Sequence, residues 1–141
     1  MKNTSITLKF FMNLAKTQFI MSRRFDGKLG GLGFNELMIL YYLSQSREEK
    51  LRRVDLAEKA GLTASGITRM LLPMEKVGYV KREYAKEDAR VSYVALAPGG
   101  KRRLAEGLER AEEFMEELIS PDKSKKLENL SEVLAEIGGK V

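Results

Sequence analysis

Val54-Asp55-Leu56-Ala57-Glu58-Lys59-Ala60-Gly61-Leu62-Thr63, running on into Ala64-Ser65-Gly66-Ile67-Thr68-Arg69, is the stretch on which the fold turns. Val54 to Ala60 is short and amphipathic, and Gly61 follows where a helix can end in the left-handed conformation at little cost. Thr63 stands as the N-cap of a second helix, with Leu62 before it and Ile67 after it forming a hydrophobic staple. From Thr63 to Val77 the residues Ile67, Leu71 and Met74 share one face, so the pattern predicts helix, tight turn, helix. Pro73 falls inside the second helix and removes the amide bond to the Arg69 carbonyl. The expected bend lies after Ser65 to Arg69 and re-aims Met74 and Val77 toward the core.

Working outward, Tyr79 to Tyr84 and Val91 to Leu96 alternate and are rich in Val and Tyr, which predicts a hairpin. Its tip, Ala85-Lys86-Glu87-Asp88-Ala89, is charged. Upstream, residues 5 to 24 carry Phe10, Leu14 and Met21 on one helical stripe and Leu8, Phe11, Ala15 and Phe19 on another, so this helix is expected to be buried on most sides. Asp26 to Gly33 holds four glycines in eight residues and reads as a loop with little preference for one shape. Asn35 is the expected N-cap of the next helix, stapled by Phe34 and Ile39 and running to about Gln45. Downstream, Leu104, Leu108, Ala111, Met115 and Leu118 recur at four- and three-residue steps. Leu127, Leu130, Leu134 and Ile137 repeat the pattern after Pro121, and such seams want a partner. The fold class is mainly α with a small β-hairpin wing.

The chain has 141 residues, room for one domain with a modest core. It contains neither Cys nor His, which removes thiolate nucleophiles, disulfides, zinc fingers and Ser-His-Asp triads. No metal, no cofactor and no enzymatic activity are expected. Glu112, Glu113, Glu116 and Glu117 read as a solvated acidic face with nothing nucleophilic beside it. The formal net charge is +5, and its placement says more than its size. Residues 1 to 49 carry seven basic and four acidic groups, residues 50 to 103 thirteen and six, and residues 104 to 141 five and ten. A basic middle and an acidic end suggest one element for phosphates and another kept off them. No apolar run approaches the ~20 residues that span a bilayer, and Met1 to Ser5 lacks the pattern of a signal peptide. A cytoplasmic protein without a membrane partner is therefore expected.

A helix-turn-helix followed at once by a hairpin, and flanked by long apolar helices, resembles the MarR family of transcriptional regulators. The likeness is carried by Val54 to Thr63, Ser65-Gly66-Ile67-Thr68-Arg69, Met74 to Arg82, Asp88-Ala89-Arg90 and Leu96-Ala97-Pro98-Gly99-Gly100, in that order and spacing. It covers nearly the whole chain, as one domain over residues 1–141. The resemblance implies a winged lobe over 34–96 and a homodimer held by the helices at 5–24 and 98–138. It also implies a palindromic operator in double-stranded DNA and, often, release by a small aromatic effector.

In such a motif the second helix enters the major groove with its N-terminal residues nearest the base edges. Thr63, Ser65, Gly66, Thr68 and Arg69 occupy those positions, with Ala64 among them. Arg69 is suited to guanine, and the hydroxyls to a base or a phosphate. Lys81, Arg82, Lys86 and Arg90 are the wing cations, and Arg90 resembles the family's minor-groove arginine. Asp88 would orient Arg90 or close the turn. Lys50, Arg52 and Arg53 read as phosphate contacts or solvated charge. Phe10, Leu14, Leu118, Leu127, Leu130 and Leu134 are the expected dimer residues, and Phe10, Phe11, Phe34, Tyr41 and Tyr42 the expected ligand pocket. The family usually has Thr where Ala97 stands, and Gly99 and Gly100 follow in the first turn of the next helix. That joint, with the glycine loop, is expected to be soft. The function these features point to is a DNA-binding repressor. A winged-helix interaction module in a larger assembly is the alternative, and the basic middle argues against it.

Overall fold

In the computed structural model, which describes residues 3–141, the quoted stretch folds as its capping residues require. Met1 and Lys2 of the polar start lie outside the described residues. Helix α3 (Arg53–Ala60) ends at Gly61, whose φ of 67° is the left-handed conformation. Helix α4 (Ala64–Lys76) opens on Thr63, whose hydroxyl accepts the Gly66 amide at 3.0 Å. Ile67, Leu71 and Met74 are buried, so the apolar face of α4 lies against the core as its spacing demands. The helix continues through Pro73 to Lys76. Val77, expected to turn inward, is exposed, because the helix ends there and the chain turns at Gly78 into the sheet.

Ahead of this motif lie α1 (Ile6–Phe25), capped by Ser5, and α2 (Phe34–Ser44). The N-cap of α2 is Gly33 rather than Asn35, so Phe34 takes the first helical position. Its ring stacks on Phe25 at 4.3 Å, which replaces the staple expected with Ile39. The loop between α1 and α2 is better defined than its glycines suggest. Leu29 and Leu32 are fully buried and pin it to the core. Apolar side chains set at two points choose the loop's shape, and the glycines only permit it.

The sheet holds a strand the sequence pattern did not disclose. Strands β2 (Val80–Tyr84) and β3 (Ser92–Leu96) form the expected hairpin, with Val80 opposite Leu96 and Tyr84 opposite Ser92. A third strand, β1 (Lys50–Arg52), pairs antiparallel to the other edge of β3, giving the order β1-β3-β2. Three residues with one apolar member, Leu51, are too short for alternation to register. Entry to β1 is a 3-10 turn at Arg47–Glu49 in which Glu48 and Glu49 both have positive φ, 57° and 55°. Lys50 and Lys101 hold these carboxylates at 3.3 Å and 2.7 Å.

Helix α5 (Pro98–Leu118) leaves the sheet without a side-chain cap on Ala97, as expected from the missing threonine. The joint is nevertheless tight rather than soft. The Ala97 amide donates to the Tyr79 carbonyl at 3.0 Å. A Cβ on Gly100 would lie 2.0 Å from the same carbonyl oxygen, and one on Gly99 would lie 2.8 Å from the Gly78 oxygen. The two glycines therefore let α5 start in contact with the backbone entering β2. After a 3-10 turn at Pro121–Lys123, α6 (Ser124–Ile137) ends at Gly138.

The core gathers Leu40, Leu43, Leu56, Ile67, Leu71, Met74, Val80, Val94 and Leu104, so it belongs to the lobe and to the first half of α5. On α1 only Phe25 is buried, and α6 buries nothing. The expectation that α1 is covered on most sides is therefore not met within one chain: Phe19 is 73% exposed and Leu8 53%. Among the described residues no helix is long and apolar enough to cross a membrane.

Candidate nucleic-acid interface

Burial of Ile67, Leu71 and Met74 turns the opposite side of α4 outward. Ala64, Ser65, Thr68, Arg69, Leu72 and Pro73 line that open face. Arg69 is exposed and makes no ion pair among the described residues. The Ser65 hydroxyl lies 3.3 Å from that of Thr63. Thr63 and Gly66 are tied together by the cap, so their amide and hydroxyl are already used in holding the helix start. Thr68 is half-buried, and its hydroxyl oxygen accepts from the Arg53 guanidinium at 3.1 Å. Sequence reading assigned Arg53 to phosphate or solvent and gave no sign of this reach from α3 to α4, because fifteen residues separate the pair.

The wing presents its cations differently. Lys81 and Lys86 are exposed and unpaired among the described residues. Arg90 is held by a two-pronged contact: Nε donates to Asp88 Oδ1 at 3.1 Å and a terminal nitrogen to Oδ2 at 3.1 Å. The Arg90 amide donates to the same carboxylate at 3.0 Å, so Asp88 both closes the turn and aims the guanidinium. The Arg90 side chain is still 91% exposed. These contacts draw the Asp88 carboxyl below its usual range, chiefly through the Arg90 side chain. As an exposed ion pair it adds little stability, but it fixes the direction of a charge.

Behind the wing, Arg103 on α5 donates to the Tyr79 hydroxyl at 3.1 Å and to Glu106 at 3.2 Å. The tyrosine bond raises the Arg103 pKa. This contact links α5 to the first residue before β2, and nothing in the local spacing signals it.

The expected ligand pocket divides. Phe34, Tyr41 and Tyr42 line one crevice of about 410 Å³ with Leu37, Met38, Leu108 and Glu112. Burial raises the Tyr42 phenol's pKa. Phe10 and Phe11 do not join them. Those rings pair with each other on α1, 5.5 Å apart and edge to face, because a helix that lies on the lobe only at its far end carries its first turns away. Of the expected dimer residues, Leu14, Leu127 and Leu130 are exposed, and Phe10, Leu118 and Leu134 are half-buried.

Comparison with known proteins agrees with this geometry. The sequence pattern of the MarR family matches residues 34–92, which run from the start of α2 to the start of β3. The chain carries a MarR-family domain. The matched residues fall within the lobe and stop at the first residue of β3. The chain is 29% identical over 100 residues to the HTH-type transcriptional regulator YdgJ of Bacillus subtilis, covering 71% of this chain and 58% of that protein. It is 29% identical over 106 residues to the HTH-type transcriptional repressor YetL of the same organism, covering 72% and 62%. The chain thus spans about three-fifths of the length of these curated relatives, which are named as regulators of transcription and not as enzymes. The crystal structure of the transcriptional regulator BldR from Sulfolobus solfataricus superposes with a TM-score of 0.80 at 27% identity, covering 96% of this chain and 99% of that one. The likeness extends to the helices on either side of the MarR domain.

Proposed function

We propose that this MarR-family protein regulates transcription by binding duplex DNA as a homodimer, and that it represses. The observation that carries the reading is the open face of α4, where Arg69 makes no ion pair among the described residues, together with a wing whose Arg90 is pre-aimed by Asp88. A helix with free polar ends fits the major groove, and a fixed exposed guanidinium fits the narrower minor groove. Ser65, Thr68 and Arg69 read base edges. Thr63 and Gly66 set the helix start that positions them, and Lys81 and Lys86 meet phosphates. The lobe at 34–96 does the reading, and the helices at 5–24 and 98–138 pair two copies through Phe10, Leu14, Leu118, Leu127, Leu130 and Leu134. Their exposed apolar faces support this, and the printed name of YetL supports repression. The crevice at Phe34, Tyr41 and Tyr42 takes a small aromatic effector that releases DNA, and the protein works in the cytoplasm.

Selection of bound fragments from random duplex DNA tests this. A palindrome with half-sites about one helical turn, ~10 bp, apart is expected. Affinity should fall steeply with salt. Arg69→Ala should cost about 1–3 kcal/mol and relax one base pair. A monomer indifferent to every duplex in dilute salt would overturn the reading.

A further inference from the structure

Arg53 is half-buried at the start of α3 and has no carboxylate within ion-pair distance among the described residues. A guanidinium in that setting has two needs: a hydrogen-bond acceptor inside the protein and a negative charge outside it. The first is Thr68, whose Oγ accepts from an Arg53 terminal nitrogen at 3.1 Å. Among the described residues no carboxylate meets the second.

The consequence falls on Thr68. A threonine hydroxyl has one donor hydrogen and two acceptor lone pairs. In mid-helix its hydrogen commonly turns back to the carbonyl four residues earlier. Here the Thr68 hydroxyl makes no such bond among the described residues, and the bond to Arg53 is its one contact. A cation that donates to its oxygen polarises the hydroxyl and leaves its hydrogen for an acceptor other than Arg53. Thr68 shares its face with Ala64, Ser65, Arg69 and Leu72, the face that is open to solvent.

We infer that Arg53 is a positioning residue for base reading: it pins Thr68 as a donor toward a base that offers an acceptor, while its other N–H groups hold the adjacent phosphate. Resting on the proposed DNA-reading function, this goes further by giving one residue pair a specific preference. Guanine O6 and N7, adenine N7 and thymine O4 are acceptors in the major groove. Cytosine offers a donor there and is disfavoured. Thymine has a second advantage, because its methyl can meet the threonine methyl. The arrangement links a phosphate contact to a base contact through one guanidinium, so strand position and base identity are read together.

The test compares bound-fragment selection and salt dependence for the full chain and for Thr68→Val, Arg53→Met, Arg53→Lys and Arg53→Met with Thr68→Val. Thermal unfolding checks that each variant folds. Thr68→Val and Arg53→Met should each lose about tenfold of discrimination at the same base pair, and the double variant no more than either. Arg53→Lys keeps the charge but lacks the rigid planar fork that spans oxygen and phosphate at fixed angles. It should bind within about threefold of the parent while losing the same preference. Uniform weakening by Arg53→Met, with a shallower salt slope and intact base preference, would make Arg53 a phosphate contact alone and overturn the inference. Unchanged preference in Thr68→Val would overturn it as well. Both outcomes leave DNA reading standing, whereas a parent chain that selects no fragment removes the proposed function and this inference together.

Discussion

The lobe from Phe34 to Leu96 and the helices at the two chain ends are both rich in regularly spaced apolar residues, and they finish in opposite states. In the lobe, Leu40, Leu43, Leu56 and Ile67 lose all contact with solvent. On α1 and α6, Phe19, Leu130 and Ile137 keep about half or more of their surface. Periodicity identifies a face that water disfavours; whether the same chain covers that face depends on where its other elements lie. The lobe does not close alone: Phe25 of α1, Leu29 and Leu32 of the loop and Leu104 of α5 complete its core, whereas α6 buries nothing.

The widest break in that comparison should come from paired truncations. Leu40→Ala should lower stability by about 2–5 kcal/mol in thermal or denaturant unfolding, since it empties a filled site. Leu130→Ala, at a residue 47% exposed, should leave dilute unfolding nearly unchanged and instead weaken self-association on sedimentation. Equal destabilisation by the two at low concentration would mean that the ends are as closed as the lobe.

The joint between the regions supplies the next test. Gly100→Ala would set a methyl against the Tyr79 carbonyl, and the backbone must shift; a loss of about 1–3 kcal/mol is expected. Slow hydrogen exchange at the start of α5 in the parent chain would agree with a tight joint, and fast exchange there would restore the soft one.

Within the lobe, Glu48→Gly should stabilise by about 0.5–1 kcal/mol, because relief of the left-handed strain at φ 57°, about 1–2 kcal/mol, exceeds the chain entropy that glycine costs, about 0.5–1 kcal/mol. Loss of the exposed Lys50 pair offsets only part of that gain. A melting temperature lowered by this change would show the ion pair to be the stronger effect.

The smallest effect is one of pH. The folded Asp88 carboxyl titrates below its ordinary value, so what the Arg90 pair contributes is complete above that value and is lost as pH falls through the depressed one. An NMR titration should place the Asp88 midpoint below about 3.9. A midpoint at or above it would mean that Arg90 is not held in solution.

Much of the lobe was legible because its signals are local. Gly61, Thr63 and the Ile67, Leu71, Met74 face lie within fourteen residues and define the end of α3, the turn and α4, and capping chemistry works at that range. Asn35 misled because Phe34, an aromatic with a partner in Phe25, gains more by starting the helix than Asn35 gains by capping it. Phe10 and Phe11 misled because order along the chain says nothing about how far a twenty-residue helix carries its first turns from the lobe.

The sequence by itself determined much of the local structure: the caps that bound the turn between α3 and α4, which face of α4 is apolar, and that Asp88 stands two residues from Arg90. Only the tertiary structure decided that Lys50 to Arg52 is a third strand, that Gly100 lies against Tyr79, and that Arg53 reaches Thr68. The reason is the distance along the chain over which each force acts. Caps, turns and periodicity are settled among residues within a few positions of one another, whereas a strand's partner or a side chain's acceptor exists only after separate segments have packed.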